Sequence, residues 1–380
     1  MTRLKVGLIV PGFSANESDW CIPALLNVVR ELAKQHEVHV FTLRYPHRKD
    51  TYQVFGATVH AFGGAFSAGT SRLKLLGKAL IAIIRHQRRH GLDILHGIWA
   101  DEPGFLAVAA GRLTRTPAIV SIFGGELVGL QDIDYGVQLS HVGRWLVNMS
   151  LRSASTVTVG SKYLADLAKN HMSQDRLILM PIGVDTKLFH PSQTSNNVPL
   201  SQGKFKLLHV ASQSAVKDHE TLFMAVTELI KHIPRIHLHL VGSTTRLNKL
   251  EQLTISLRLE NHVTFHGEVR HNHLPAYYRS ADLCVQSSRF ESQSMAMLEA
   301  AACGRATIGT AVGILPELVP ACRLVPIRDA DSLSKSLIGI IENPQMLSNL
   351  EQSSFNAVQT RYTLQHTVDT LTSLYERWVY

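Results

Sequence analysis

Charge is scarce in this chain of 380 residues: Asp, Glu, Lys and Arg together make up 18%, while apolar residues reach 45%. Soluble domains usually carry about a quarter charged residues, and a disordered polyampholyte carries more, so a folded globular protein is expected. Cysteine is equally sparse. Cys21, Cys284, Cys303 and Cys322 sit among apolar or small residues with no CxxC pair, which argues against a cysteine zinc site or a disulfide framework and for a reducing compartment. No run reaches the ~18–20 uninterrupted apolar residues of a membrane span. The stretch Leu4 to Val10 alternates like a buried strand and runs into a Gly turn with no small-residue cleavage pattern. It is expected to be the first β-strand rather than a signal peptide, which leaves the protein in the cytoplasm where it is made. GxGxxG and GxxxxGK[ST] are both missing, which removes most support for an ordinary dehydrogenase or a P-loop NTPase. No short-period repeat or low-complexity tract is present either, so a solenoid is excluded.

What is present is a positive balance. Lys and Arg number 38 and Asp and Glu 30, a formal charge of +8, with 20 histidines besides. Such a surplus suits nucleic acid, anionic lipid or a phosphorylated small molecule, and equally a merely solvated surface. Strand-like runs alternate with amphipathic segments along the whole chain, the pattern of parallel sheets with helices on both faces. In the first half the strands read Leu4 to Val10, Glu37 to Leu43, Thr58 to Ala61, Asp93 to His96, Ala118 to Phe123, Thr156 to Val159 and Leu177 to Met180. In the second they read Phe205 to Ala211, His237 to Val241, Val263 to His266, Asp282 to Gln286, Thr307 to Gly309 and Cys322 to Val325. A polar stretch without periodicity separates the two sets. The expected organisation is a first Rossmann-like domain over 1–190, a linker over 191–204, a second domain over 205–361, and a final helix over 362–380. Two doubly wound α/β domains would then face a cleft, with ligands beyond the carboxyl ends of their strands.

The segment 290–319, FESQSMAMLEAAACGRATIGTAVGILPELV, is the most informative. Glu291 would lie in a loop and Glu299 about one turn inside the helix that follows. The N–H groups near Gln293, Ser294 and Met295 would be the unpaired donors of that helix start, where a diphosphate can be held. Small residues Ala300, Ala301, Ala302, Cys303 and Gly304 would let the helix pack closely on its sheet. An E-x7-E spacing alone is weak, since 30 acidic residues produce it often by chance.

In this context the chain resembles the retaining GT-B glycosyltransferases of family 4, also called glycosyl transferases group 1. The landmarks are Pro181-Ile182-Gly183-Val184-Asp185 with Phe189 and Pro191, Lys217 after a strand, Leu240-Val241-Gly242, Phe265-His266-Gly267, Leu274-Pro275 with Tyr277 and Tyr278, Ala281-Asp282, the two glutamates, and Gly313 with Pro316-Glu317. The resemblance implies a nucleotide sugar bound by the second domain, with Glu299 on the ribose hydroxyls, Glu291 on the donor sugar and Lys217 on the diphosphate. A fixed ammonium and helix N-terminal donors would stabilise the charge that gathers on a leaving nucleoside diphosphate, so no metal or other cofactor is expected. Lys217 as a solvated helix-start lysine and Glu299 as a capping or surface carboxylate remain the bland alternatives.

Several positions depart from the family pattern. Only Gly12 stands where the first strand normally meets a run of glycines, leaving a reduced cradle for the distal phosphate. Ser212 or Gln213 replaces the arginine that often accompanies the lysine, Gln293-Ser294 replaces Phe-Gly, and Ile314 replaces a second glycine. Phe123-Gly124-Gly125-Glu126 stands where His-Gly-x-Asp is usual. A degenerate GT-B protein that binds without turnover therefore stays open, as does, more distantly, a sugar-nucleotide epimerase.

The first domain is expected to hold the acceptor, a saccharide or a lipid-linked glycan. Candidates are His96 and Trp99 in the segment 96–102, where a sugar could stack on the indole, and Glu126; a structural tryptophan followed by helix-capping acids is the alternative. Asp19 and Trp20 carry similar weight. Ser71 to His90 reads as a basic amphipathic helix, with Leu73, Leu76, Leu80, Ile83 and Ile84 on one face, Lys74, Lys78, Arg85, Arg88 and Arg89 opposite, and Ile81 among the cations. That face could rest on an anionic membrane surface, giving a peripheral location, or simply be solvated. No nucleic-acid module accompanies it, so nucleic acid is not an expected partner. Leu364, Val368, Leu371, Leu374, Tyr375 and Trp378 form the stripe of a last helix expected to return to the first domain.

Overall fold

Every strand read from the sequence forms. The structure, a computed structural model, describes residues 3–64, 69–192, 200, 205–243 and 247–380. Among them the chain divides into two units, Met1–Pro181 with Leu364–Tyr380, and Ile182–Thr363.

The first unit is built on β1 (Lys5–Gly12), β2 (Glu37–Tyr45), β3 (Lys49–Val54), β4 (Ala57–Phe62), β5 (Ile94–Ile98), β6 (Ala118–Ile122), β7 (Thr156–Val159) and β8 (Leu177–Leu179). Their order in the sheet is β3-β4-β2-β1-β5-β6-β7-β8. All neighbours run parallel except β3, which pairs antiparallel with β4. β3 was illegible in the sequence for a physical reason. Its residues KDTYQV are mostly exposed at the sheet edge, so no apolar face selects the strand period. It is made by a tight hairpin at Phe55 and Gly56, both left-handed at φ 47° and 82°, the geometry of a primed turn.

The closing helix Leu364–Val379 belongs to this unit, as expected from its stripe. Its buried face carries Leu364, Val368, Leu371, Leu374 and Tyr375. Thr372 Oγ1 meets His36 Nε2 at 3.0 Å, and Trp378 Nε1 donates to Thr156 Oγ1 at 2.9 Å. The basic helix spans Thr70–His90 and buries Leu75, Leu76, Ala79 and Ile83. Leu73, assigned to the apolar face, is instead 70% exposed, because the buried stripe of Leu75, Leu76, Ala79 and Ile83 is centred about 100° round the helix from it. Ile81 is exposed among Lys74, Lys78, Arg85, Arg88 and Arg89, as the wheel indicated.

The second unit holds β9 (Phe205–Val210), β10 (Ile236–Val241), β11 (Val263–Gly267), β12 (Leu283–Gln286), β13 (Ala306–Thr310) and β14 (Arg323–Val325), ordered β11-β10-β9-β12-β13-β14 and parallel throughout. Apolar clusters cover both faces: Leu298, Ala300, Ala301, Ile314 and Val358 on one, Leu222, Val226, Leu238, Leu333 and Leu337 on the other. The linker expected at 191–204 lies largely outside the described residues. The preceding stretch packs with the second unit rather than the first, because Val184 and Phe189 enter its core beside Tyr278 and Ala281. In both sheets the order reverses at one place, between β1 and β5 and between β9 and β12. Loops leaving the carboxyl ends of such a strand pair diverge, and the opening between them is where doubly wound sheets bind ligands.

Candidate functional site

At the reversal in the second unit, the loop after β9 carries Lys217 and the loop after β12 carries Glu291. Lys217 Nζ lies 2.6 Å from Glu291 Oε1, and Ser288 Oγ donates to the same oxygen at 2.6 Å. The loops are stitched by backbone: Arg289 N–H donates to Val216 O at 2.8 Å, and Ser287 Oγ to Lys217 O at 2.9 Å. Below them His209, near the end of β9, gives its Nδ1 proton to Val285 O at 2.9 Å, and burial pulls its pKa down to about 4. Both charged side chains keep some exposure, 21% for Lys217 and 13% for Glu291. An anion arriving at this opening can therefore meet the ammonium directly.

The helix Met295–Ala302 begins beside them, and its first N–H groups have no partner within the helix. It is buried nearly all round, including Glu299. A buried carboxylate is costly unless its oxygens are bonded. Here Tyr278 Oη donates to Oε2 at 2.9 Å and His271 Nε2 to Oε1 at 2.9 Å. Burial, followed by the Glu299 charge, holds the Tyr278 hydroxyl well above its ordinary range, so it stays a donor. His271 was missed in the sequence, since a lone histidine 28 positions from its partner leaves no spacing signal.

Gly313 explains how the Glu291 loop is shaped. Its φ is +62°, and a Cβ there would come within 2.6 Å of Gln293 O and 2.9 Å of Glu291 Cβ. Ile314 N–H then donates to Gln293 O at 2.7 Å.

In the first unit, Gly12 ends β1 at a register shift against Tyr45, with Tyr45 Cβ 3.2 Å from where a side chain would begin. Trp99 follows β5 with a left-handed φ of 79°, a conformation that costs about 1–3 kcal/mol in a non-glycine residue and collects at functional sites. Its indole packs on Phe123 at 5.2 Å and is partly exposed. Glu126 is fully buried and accepts N–H bonds from Ala100 at 3.2 Å, Phe123 at 3.0 Å and Gly124 at 2.6 Å. Burial, and behind it the Asp101 carboxylate, pushes it up to about 7. The next residue, Glu102, is raised by burial but more than offset by hydrogen bonds from Arg44 and Arg72, which hold it below the usual range.

Two candidates sit differently from their expected roles. His96 is 1% exposed, with Nδ1 2.8 Å from Tyr375 Oη and Nε2 2.7 Å from Ser121 Oγ. Burial drops its pKa to about 3. It pins the closing helix to the sheet and has no free atom for an acceptor. Asp19 is likewise used internally, accepting from Ala15 N at 2.7 Å and Tyr45 Oη at 2.9 Å.

Two family descriptions match the chain in adjoining stretches, Glycosyltransferase Family 4 over residues 24–188 and Glycosyl transferases group 1 over residues 192–356. The chain belongs to this glycosyltransferase family. Among its relatives, alpha-monoglucosyldiacylglycerol synthase of Streptococcus pneumoniae is 23% identical over 290 residues, covering 73% of this chain and 65% of that protein, just under two thirds of its length. Sucrose-phosphate synthase of Thermosynechococcus elongatus superposes with a TM-score of 0.83 at 23% identity, covering 99% of both chains. HepE of Anabaena in complex with UDP-glucose superposes with a TM-score of 0.74 at 17% identity, covering 97% of this chain and 100% of that one. These likenesses carry the GT-B fold.

The Gln293-Ser294 pair has a structural account. Gln293 is buried and its amide brackets Ile182, accepting from Ile182 N at 2.8 Å and donating to Ile182 O at 2.5 Å. Ser294 keeps the left-handed backbone a glycine would adopt, φ 92°, and donates its hydroxyl to Gln286 Oε1. Met295 opens the helix with its sulfur 3.5 Å from the Gln293 amide nitrogen. Gln293 and Ser294 thus shape the helix start, and their side chains are engaged with protein. Where the resemblance leads one to expect an arginine, Ser212 is exposed and Gln213 is buried, and neither side chain carries a charge. No described helix is long and apolar enough to cross a membrane.

Proposed function

We propose that the protein transfers a sugar from a nucleotide-sugar donor to an acceptor with retention of anomeric configuration, the second unit binding the donor and the first the acceptor. The observation that carries this reading is the Lys217–Glu291 pair at the β9/β12 reversal, next to the start of the helix Met295–Ala302. In this reading Lys217 exchanges Glu291 for the diphosphate, and the first N–H groups of that helix share the anion. Fixed donors aimed at the leaving group are worth more as its charge grows than before, which lowers the barrier without a metal. Glu291, released from the ammonium, contacts the donor sugar. Glu299, already held by Tyr278 and His271, accepts from the ribose hydroxyls with its remaining lone pairs.

Trp99 and Glu126 shape the acceptor side, the indole as a stacking face and the carboxyl as the support of the Phe123–Gly124 turn. The acceptor in this reading is a saccharide on a lipid carrier or another cell-envelope glycan, met at the inner face of the membrane. Two things support it: the exposed cationic face with Leu73 and Ile81 on the helix Thr70–His90, and a relative named for a glycolipid product. Thermal shift against UDP-, GDP- and ADP-sugars tests the donor assignment. One base should raise the melting temperature in the parent and not in Lys217→Ala; no shift with any of the three would sink it.

A further inference from the structure

Three histidines that the proposed transfer does not use converge in the first unit. His39 and His60 come from neighbouring parallel strands, β2 and β4, and His86 from the helix Thr70–His90. One ring nitrogen of each lies within 4.8 Å of the other two, and among the described residues no other group of three metal-ligand side chains closes this tightly.

The hydrogen bonds fix how the lone pairs point. His39 Nε2 lies 3.1 Å from the Glu37 carboxylate, which can only accept, so that nitrogen carries the proton. His39 Nδ1 is then an acceptor, and His60 Nε2 donates to it at 3.2 Å. His86 Nε2 is buried with no hydrogen-bond partner. A stack of neutral rings against Phe41, which lies 4.8 Å from His60 and 5.4 Å from His86, accounts for the apolar contacts. It does not account for an orphaned nitrogen, which is unfavourable when buried. Nor does it account for a carboxylate set behind a histidine whose other nitrogen faces two more imidazoles, the arrangement by which metal-binding histidines are oriented.

We propose that His39, His60 and His86 bind one Zn²⁺, with Glu37 orienting His39 and the fourth coordination position open to the adjoining cavity. That cavity, of about 370 Å³, is lined by His60, His86, Phe41, Lys49 and Asp50 among others. Zn–N bonds of about 2.0–2.1 Å in a tetrahedron put ligand nitrogens a little over ~3 Å apart. The His39–His60 spacing is already close to that value, while the His86 nitrogen, within 4.8 Å of the other two, has to draw in on binding. Neutral imidazole is the ligating form of histidine. On binding, His60 carries its proton on Nδ1 and turns its Nε2 lone pair to the metal; no proton is released. The site ties the helix that carries the basic face to two strands of the sheet, which makes it a stabilising site separate from the donor chemistry.

The test is Zn²⁺ titration of the untagged full chain after chelator treatment, with Co²⁺ as a spectroscopic probe. The parent should take up one equivalent, show the visible spectrum of tetrahedral Co²⁺, and melt at higher temperature with Zn²⁺ than without. His86→Gln should lose that equivalent with its far-UV circular dichroism unchanged, whereas His141→Gln, an exposed histidine elsewhere in the unit, should keep it. Glu37→Gln reads the same site without touching a ligand, and should weaken Zn²⁺ by about 10- to 100-fold. No uptake by the parent overturns the proposal. So does uptake undiminished in both His86→Gln and Glu37→Gln, or a Co²⁺ spectrum without tetrahedral character.

Discussion

Lys217 is the most exposed point of the mechanism to experiment, because its ammonium is committed to Glu291 before any ligand arrives. The pair is 2.6 Å apart and Ser288 shares the same carboxylate oxygen. Lys217→Ala removes the cation but leaves Glu291 a hydroxyl partner, so the fold should survive. Loss of a hydrogen bond to a charged group costs about 1.5–3 kcal/mol, which is roughly one to two decades of nucleoside-diphosphate affinity. Glu291→Gln acts in the opposite sense on binding. It frees the ammonium, so affinity for the nucleoside diphosphate should equal or exceed the parent's, while turnover falls by roughly one to two decades from the lost sugar contact. The double variant should bind like Lys217→Ala, because the gain from releasing Lys217 vanishes when Lys217 is gone. Calorimetric titration with the nucleoside diphosphate that the thermal-shift screen selects, together with initial rates on the matching sugar donor, separates these quantities. If Lys217→Ala and Glu299→Gln both bind as the parent does, the site assignment is wrong. If Glu291→Gln weakens binding as much as Lys217→Ala, the pair is a structural strut.

Gly313→Ala should destabilise the second unit by about 1–3 kcal/mol, since φ is +62° and the added Cβ meets Gln293 O at 2.6 Å; melting should fall and turnover with it, and an unchanged rate would separate Glu291 placement from catalysis. Glu126 has a folded pKa raised to about 7, so the stability it contributes is present below its unfolded pKa near 4.5 and is lost as pH rises through about 7. The parent should therefore lose stability relative to Glu126→Gln between about pH 5 and 8, measured by denaturant unfolding; a difference that does not vary with pH would refute it. Replacing Arg85, Arg88 and Arg89 with Gln should reduce sedimentation with anionic vesicles by about 1 kcal/mol per cation and leave donor affinity alone, and ~0.5 M salt should release the parent. Equal partition of parent and triple variant would favour a soluble acceptor.

The strands and their order of appearance were legible because parallel strands buried on both faces read as apolar runs, and thirteen of these fell where expected. β3 was not, since an exposed edge strand has neither an apolar run nor a period. The glutamate pair was legible in position but not in partners. Nothing local announces that His271 would reach Glu299 or that Gln293 would bracket Ile182, because both contacts join segments far apart in sequence. His96 misled for a related reason: a histidine at a strand end looks available until the closing helix, 279 positions on, delivers Tyr375 to it. The same long-range assembly hid the three-histidine cluster, whose members lie on two strands and a helix with no motif spacing.

In the proposed reading the protein turns over a nucleotide sugar at the Lys217–Glu291 site without a metal. Product release decides it: parent protein, donor and a lipid-linked or soluble saccharide acceptor, with excess chelator present and the temperature kept well below melting. Acceptor-dependent release of nucleoside diphosphate, undiminished by chelator, suppressed in Glu291→Gln, and yielding a product with the donor's anomeric configuration is the predicted result. Tight donor binding with no release, or release that requires added magnesium or manganese, would contradict it.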